Sequence, residues 1–145
     1  MIAWLHRLFQ KNRPPNAVRG DIGERLAAEF LRRERGFTIL SRNWRSIRDK
    51  RAEIDLVCRD GKALVFVEVK TRAPGALVSG YFAVTHRKKR AMRRACLAYL
   101  ARLPRGPRTF RFDVVEVSLP ASNDTAGAEI RHFDNIPLFP KDHWG

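Results

Sequence analysis

A β-hairpin in the middle of the chain constrains the fold most strongly. Two apolar runs, AEIDLVC at residues 52–58 and KALVFVEVKTR at 62–72, are rich in the β-branched and aromatic residues that favour strands. Asp60-Gly61 stands between them, and an Asp-Gly pair between two such runs is typical of a two-residue hairpin turn. We therefore expect two adjacent antiparallel strands whose register is set by this turn.

The predicted turn also determines which side chains share a face of the hairpin. With Asp60 and Gly61 as turn residues, Arg59 pairs with Lys62, so that Asp55 faces Phe66 and Glu53 faces Glu68. Side chains alternate between faces along a strand, and four charged residues fall on one face: Glu53, Asp55, Glu68 and Lys70. The other face is apolar and is expected to form core: Ile54, Leu56, Val65, Val67 and Val69. A four-residue loop would keep this arrangement, whereas a three-residue loop would separate Asp55 from Glu68.

Three carboxylates on one patch favour a metal site. Like charges repel and raise one another's pKa, which is unfavourable for stability. Mg²⁺ or Mn²⁺ would relieve the repulsion, because these ions prefer carboxylate oxygens, water and substrate phosphate as ligands. Such an ion activates water and neutralises charge on a phosphoryl group, and Lys70 could hold the attacking water or stabilise the phosphate. The alternative is a hairpin face that is simply solvated, which is the common meaning of Glu-x-Lys or Glu-x-Asp alone.

The charge of the chain favours a polyanionic partner. Its 145 residues contain 29 Lys and Arg against 15 Asp and Glu, a formal net charge of +14. Such an excess favours nucleic acid first and an anionic membrane surface second. A protein that attracts nucleic acid would have phosphodiester bonds close to the charged hairpin face. The net charge therefore favours a metal site on the hairpin over a face that is simply solvated.

Other classes of protein are disfavoured by what the sequence lacks. Cys58 and Cys96 show no CxxC spacing and the four histidines are far apart, so we expect no zinc site, and nothing indicates an organic cofactor. No apolar run approaches the roughly 20 residues of a transmembrane helix. The first residues do not form a secretory signal, and we expect a cytoplasmic protein.

The order of predicted elements indicates one α/β domain over residues 20–145. Residues 1–19 read as a lead-in with an amphipathic helical face, and the sequence leaves open whether it docks on the domain, touches a membrane or is mobile. Pro14-Pro15 is expected to stop any helix there. The periodicity then predicts helices, strands and a short edge strand in the order helix 21–35, strand 37–45, the two hairpin strands, helix 85–102, strand 109–118 and edge strand 129–133. This α-β-β-β-α-β order predicts a mixed sheet flanked by helices.

At these residues the sequence resembles the PD-(D/E)xK nuclease superfamily, and in particular the YraN family of endonuclease-related bacterial proteins. The resemblance covers about residues 17–139. It rests on Gly23-Glu24 with Ala27-Ala28, Arg42-Asn43-Trp44-Arg45, Glu53-Ile54-Asp55-Leu56-Val57, Phe66-Val67-Glu68-Val69-Lys70-Thr71-Arg72, Lys88, Arg111-Phe112-Asp113-Val114-Val115 and the segment Ile130 to Phe139. Ala52 departs from the family pattern, which usually has glycine there.

The resemblance implies a restriction-endonuclease-like core and roles for four residues. Asp55 and Glu68 would be metal ligands, Lys70 the catalytic lysine, and Glu24 the first-helix acid that completes the metal site. Glu53 is a further candidate ligand from the hairpin pattern. Glu24 has an alternative role, because Asp21 followed three residues later by Glu24 resembles a capping box at a helix start.

Basic residues indicate where nucleic acid, with DNA as the expected partner, would bind. The second helix begins with a dense run of basic residues, which suits phosphate contacts, although a solvated helix face is the usual meaning of such a run. The predicted nucleic-acid-binding residues are Arg42, Arg45, Arg72, Arg87, Lys88, Lys89 and Arg90. For Trp44, core packing is favoured over stacking on a base, and Asp113 is expected to be a structural acid.

Three functions are therefore compatible with the sequence. The leading hypothesis is an Mg²⁺- or Mn²⁺-dependent DNA endonuclease acting on branched or damaged DNA, for which a symmetric dimer is the simplest assembly. The second is a nucleic-acid-binding accessory protein without turnover. The third is a basic protein that binds an anionic membrane surface through its N-terminal segment.

Overall fold

The computed structural model describes residues 15–75, 85–107 and 109–138. The amphipathic face predicted within residues 1–14 lies outside the described residues. The elements in chain order are helix α1 (Pro15–Glu34), strands β1 (Thr38–Arg45), β2 (Glu53–Asp60) and β3 (Ala63–Arg72), helix α2 (His86–Ala101), strand β4 (Thr109–Ser118), a single 3-10 turn (Thr125–Gly127) and strand β5 (Glu129–Phe133).

The five strands form one mixed sheet in the order β1-β2-β3-β4-β5. The pairs β1–β2, β2–β3 and β4–β5 are antiparallel, and β3–β4 is parallel. Helix α2 lies between the two parallel strands in sequence, as a crossover connection requires. The predicted α-β-β-β-α-β order and the restriction-endonuclease-like α/β core are confirmed, with β5 added at one edge.

Apolar clusters cover both faces of the sheet. On one face α1 contributes Ala27, Ala28 and Leu31 to a cluster with Leu56, Cys58, Val65, Val67 and Val69. On the other face α2 contributes Met92, Ala95, Cys96 and Tyr99 to a cluster with Ile54, Val57, Leu64 and Phe66. The sheet face that carries the charged hairpin residues is therefore mostly core. The sequence predicts Ile54 on the same face as Leu56, but Ile54 packs on the opposite face, against α2.

The hairpin turn is displaced by one position along the chain. Asp60 pairs with Ala63, so the turn residues are Gly61 and Lys62 instead of Asp60 and Gly61. Gly61 has φ 57°, a conformation that glycine adopts without steric cost at the first turn position. Asp60 stays in the strand, where its Oδ2 lies 3.0 Å from Arg111 Nη2. Each residue of β2 therefore pairs with a residue two positions further along β3 than predicted; Arg59, for example, pairs with Leu64 instead of Lys62. Because a shift of two residues does not change the face on which a side chain lies, Asp55 and Glu68 remain on one face.

Helix α1 begins at Pro15, six residues before its predicted start. Proline is favoured at the first helical position, since its missing N–H would have no partner there. The helix start lies inside the predicted lead-in, and Arg19 ties it to the end of β4 by donating to the Leu119 and Pro120 carbonyls at 2.8 and 2.9 Å. The capping-box prediction for Asp21 and Glu24 is wrong, because both residues lie within the helix.

Asp113 is the structural acid that the sequence predicts. It is completely buried in β4 and accepts hydrogen bonds from Arg111 Nε at 3.0 Å and from the Asn135 N–H at 2.9 Å, with His132 Nε2 at 2.8 Å. Burial opposes ionisation of this carboxyl, but the hydrogen bonds from His132, the Asn135 amide and Arg111 outweigh burial and hold its pKa below the usual value. The network joins β4, β5 and the segment that follows β5.

Candidate active site

The candidate site lies where β2 and β3 separate. Their ladder runs from the turn to the pair Leu56–Val67 and ends there. Beyond that point β2 stays paired with β1 as far as Glu53, while β3 stays paired with β4 as far as Arg72. The sheet therefore opens into a fork, and the residues that face the opening are Asp55 on β2 and Glu68 and Lys70 on β3.

At the fork, the Asp55 side chain replaces a backbone hydrogen bond between β2 and β3. Its Oδ2 accepts the backbone N–H of Val69 at 2.8 Å. Burial and, next, the neighbouring Glu68 charge raise the pKa of Asp55 to about 8, although the hydrogen bond from the Val69 N–H opposes the shift. A hydrogen bond also links the Asp55 and Glu68 carboxyls. The Asp55 and Glu68 carboxyls are therefore neighbours at the fork.

Two lysines from different elements contact Glu68. Lys70 Nζ lies 3.1 Å from Glu68 Oε1, and both side chains are largely buried, with 13% and 15% exposed. Lys88 Nζ reaches the same oxygen from α2 at 3.8 Å. Burial and the nearby Lys70 ammonium lower the pKa of Lys88, while Glu68 and Asp55 oppose that shift. Glu68 is thus held between two ammonium groups.

The start of α2 explains why Lys88 points to this site. Thr85 caps the helix, and its Oγ1 accepts the backbone N–H of Lys88 at 3.3 Å. The buried face of α2 packs on the sheet through Met92, Ala95 and Tyr99. This packing places the first helical turn at the open end of the fork.

Glu24 approaches the site from α1. Burial is the main cause that raises its pKa, and the charges of Asp21, Glu53 and Glu68 raise it further. The opposing influence is a hydrogen bond from the side chain of Asn43. Glu24 therefore belongs to the same electrostatic cluster as the hairpin acids.

Gly23 allows α1 to lie close to β3. A Cβ built on Gly23 would overlap Thr71 Oγ1. Any larger residue would push the helix away from the strand that carries Glu68 and Lys70. Glycine at this position therefore sets the distance between Glu24 and the rest of the site.

Asn43 is the site residue that sequence reasoning missed. It lies in β1 between the pairs Arg42–Leu56 and Trp44–Ile54, and so stands opposite Asp55. Its φ of 49° is left-handed, a conformation that asparagine tolerates better than most residues. The motif Arg42-Asn43-Trp44-Arg45 contained the signal, since an asparagine is disfavoured in a regular strand.

The structure brings four of the predicted acidic and basic residues together with Lys88. These are Glu24, Asp55, Glu68 and Lys70. Glu53 lies at the margin, where its Oε1 is 3.4 Å from Arg45 Nη2 and its charge still influences Glu24. Among the described residues, no three Asp, Glu, His or Cys side chains converge closely enough to hold one ion. The pair Asp55 and Glu68 fits a magnesium site of the kind that uses one or two carboxylates plus water and phosphate.

Six of the seven predicted nucleic-acid-binding residues fall into two groups. Arg87, Lys88, Lys89 and Arg90 lie on the first turns of α2, and Arg42 and Arg45 are exposed on β1. Arg72 lies apart from both groups, in a small pocket with Glu116, Glu129 and Arg131. Trp44 packs edge-to-face on Tyr99 with ring centroids 5.2 Å apart, which confirms its role in the core.

Neither described helix has the length and apolar character needed to cross a lipid bilayer.

The comparisons with known proteins agree on one family. The model of the uncharacterised protein family UPF0102, which is the YraN family, matches residues 23–117 and so includes the whole fork. A UPF0102 protein of Symbiobacterium thermophilum is 48% identical over 98 residues, covering 68% of this chain and 80% of the relative. A UPF0102 protein of Geotalea daltonii is 42% identical over 117 residues, covering 81% and 87%. One from Frankia alni is 46% identical over 101 residues, covering 70% and 81%.

Proposed function

The chain belongs to the UPF0102 family, and from the geometry of its site we propose that it is a metal-dependent nuclease that hydrolyses phosphodiester bonds in DNA. The observation that carries the proposal is the placement of Asp55 and Glu68 side by side in a largely buried fork. Asp55 in such a position costs stability, because burial and the charge of Glu68 both oppose its ionisation. A site for a divalent cation accounts for that cost.

The pair Asp55 and Glu68 would hold the ion, with Glu24 as a more distant acid. A bound Mg²⁺ or Mn²⁺ would supply an activated water and neutralise charge that develops on the phosphoryl group. Glu24 lies close enough for its charge to interact with Glu68, so it would orient water or substrate hydroxyls through hydrogen bonds. The Val69 N–H, which donates to Asp55 at 2.8 Å, keeps one carboxylate oxygen in a fixed orientation.

The two lysines would act on the phosphate. Lys70 is largely buried beside Glu68, and its ammonium group is positioned to stabilise negative charge on the reacting phosphoryl oxygens. Lys88 is 46% exposed and reaches the site from α2, so it is accessible to a phosphate that enters from solvent. Both cations are preorganised by contact with the same Glu68 oxygen.

The surface around the fork suits a polyanion. Helix α2 carries His86, Arg87, Lys88, Lys89, Arg90, Arg93 and Arg94. Of these, Lys88 is the one that forms an ion pair with an acid among the described residues. Unpaired cations at this density favour contacts with a phosphate backbone, which provide affinity without sequence preference.

Cleavage assays test this proposal directly. Purified protein is incubated with linear duplex, single-stranded and four-way-junction DNA in the presence of Mg²⁺, Mn²⁺ or EDTA. We expect metal-dependent cleavage that Asp55→Asn and Lys70→Ala each reduce at least about 100-fold. The matched controls are Asp134→Asn and Lys62→Ala, which alter exposed residues of the same types away from the fork and should cleave like wild type.

One observation favours a second candidate function. The dense basic residues at the start of α2 account for nucleic-acid binding without any chemistry, which favours an accessory protein that binds nucleic acid without cutting it. Binding without cleavage under every metal condition would support this alternative and contradict the nuclease. Cleavage that persists unchanged in Asp55→Asn and Lys70→Ala would also contradict the catalytic proposal.

A further inference from the structure

A groove lies between α2 and the β1–β2 connection, which comprises residues 46–52. Its volume is about 570 Å³, and its charged lining consists of Asp49, Arg51, Arg87, Arg90, Arg93 and Arg94. Asp49 is already paired with Arg51, whose Nε lies 3.6 Å from Asp49 Oδ1. No acid among the described residues pairs with the four arginines from α2. The groove is therefore strongly positive.

The groove adjoins the fork at both of its walls. On one wall Ala52 precedes Asp55 by three residues, or about 10 Å of strand. On the other wall Arg87 directly precedes Lys88, which contacts Glu68. A strand whose phosphate lies at the fork would continue into the groove within about three base steps of 3.4 Å each.

The β1–β2 connection is a closed loop held by its own hydrogen bonds. Ser46 N–H donates to the Ala52 carbonyl at 3.1 Å, and Ala52 N–H donates to the Asp49 carbonyl at 2.9 Å. The Asp49 carboxylate accepts the backbone N–H of Arg51 at 3.1 Å. The connection thus has a defined conformation, in which Ile47, Arg48, Lys50 and Arg51 are exposed.

Ile47 is the most exposed large apolar side chain in the described part of the chain. It is 98% exposed, and Leu40 at 45% is the other such residue. Ile47 is surrounded in sequence by cations, with Arg45 and Arg48 on either side and Lys50 beyond. Ile47 does not line the groove itself, but it belongs to the same loop as Asp49 and Arg51, which do. A fully exposed isoleucine in such a loop has the character of the apolar wedges that proteins insert between bases.

We propose that the groove holds the backbone of one DNA strand and that Ile47 contacts a base displaced from its stack, so that the site selects DNA with unpaired bases beside a duplex. This inference rests on the proposed function and specifies its substrate class. A wedge must separate stacked bases in an intact duplex, and that cost is smaller where a base is already unpaired. A second copy of the chain is a poor occupant, because a symmetric contact would place the arginines of both copies against each other.

Binding measurements in EDTA test the proposal without turnover. The probes are two fluorescent DNA molecules of the same sequence, one fully paired and one with a three-nucleotide bulge, followed by anisotropy. We expect wild type to prefer the bulged DNA on the order of tenfold and Ile47→Ser to reduce that preference to within about twofold, with little change for paired DNA. Leu40→Ser is the matched control and should keep the preference.

Substitutions of the groove arginines should change affinity without changing the preference for bulged DNA. The double variant Arg90→Ala/Arg94→Ala should weaken binding to both DNA molecules by a similar factor, on the order of tenfold, and lower the salt slope by about two. The proposal is overturned if wild type shows no preference, if Ile47→Ser keeps it, or if Leu40→Ser loses it equally. It is also overturned if Ile47→Ser loses binding only to phosphatidylserine vesicles, which would assign the side chain to a membrane.

The two proposals fail in different ways. If the protein prefers bulged DNA through Ile47 but never cleaves DNA, the nuclease proposal is wrong and the proposed binding surface is supported. Metal-dependent cleavage without any preference for unpaired bases would overturn the binding surface alone. Circular dichroism and thermal melting of each variant verify that the substitutions at these exposed positions leave the fold unchanged.

Discussion

Asp55 Oδ2 accepts the backbone N–H of Val69 at 2.8 Å, at the position where the next rung of the β2–β3 ladder would otherwise form. A side chain has replaced a backbone partner, and the two strands separate around it. The exchange leaves the carboxyl largely buried beside Glu68, the acid that Lys70 and Lys88 contact. Several consequences of this arrangement can be measured.

The stability of the metal-free protein should fall as pH rises from 5 to 8. The pKa of Asp55 is raised from 3.8 to about 8 in the folded state, so the folded protein binds a proton that the unfolded chain releases above pH 4. The resulting stabilisation is fully present below pH 4 and is lost as pH passes through 8. Urea unfolding in EDTA measures it, and Asp55→Asn should flatten the dependence. An equally steep decline in that variant would assign the effect to other groups.

Gly23→Ala should destabilise the protein by about 1–3 kcal/mol, because its Cβ would overlap Thr71 Oγ1 and overpack the contact between α1 and β3. Gly20→Ala is the matched control, since open space surrounds that position in the same helix. It should stabilise the protein by up to about 1 kcal/mol through helix propensity. Adding Thr71→Ala to Gly23→Ala should restore part of the loss. Equal effects at the two glycines would contradict the close approach of α1.

Asn43→Gly should be better tolerated than Asn43→Ala. Glycine adopts the left-handed φ of 49° freely, whereas alanine pays about 1 kcal/mol for it, and both variants lose the hydrogen bond to Glu24. Denaturant titrations of the two variants measure the backbone cost as their difference. If alanine proves as stable as glycine, Asn43 is not held in this conformation in solution.

Lys88 and Lys89 should differ in the kinetic constant they affect. Lys88 contacts Glu68, while Lys89 lies on the same turn with no acidic partner among the described residues. On the proposed mechanism, Lys88→Ala should lower kcat about 10- to 100-fold, and Lys89→Ala should mainly raise KM by a few-fold. Steady-state kinetics on cleavable DNA separate the two. Identical effects would indicate that both lysines merely bind backbone phosphate.

Local patterns were sufficient to predict much of the fold. The alternation of apolar and polar residues predicted β4 and β5 with their observed limits, and the helical spacing predicted α2 to within one residue at each end. The grouping of Asp55 with Glu68 and Lys70 also followed from the sequence. This grouping is correct although the predicted turn is wrong, because shifting the β2–β3 pairing by two residues leaves each side chain on the same face.

Tertiary contacts decided the rest. Asp60 remains in the strand beside Arg111, which is 51 residues away and could not be recognised as its partner from the turn sequence. The fork depends on β2 and β3 following different neighbours, β1 and β4, after Leu56 and Val67. Periodicity determines which face a side chain occupies, since it depends on adjacent residues alone. Where strands part, which face a helix covers and which asparagine turns left-handed depend on packing between distant segments, and these contacts made the charged hairpin face into a site.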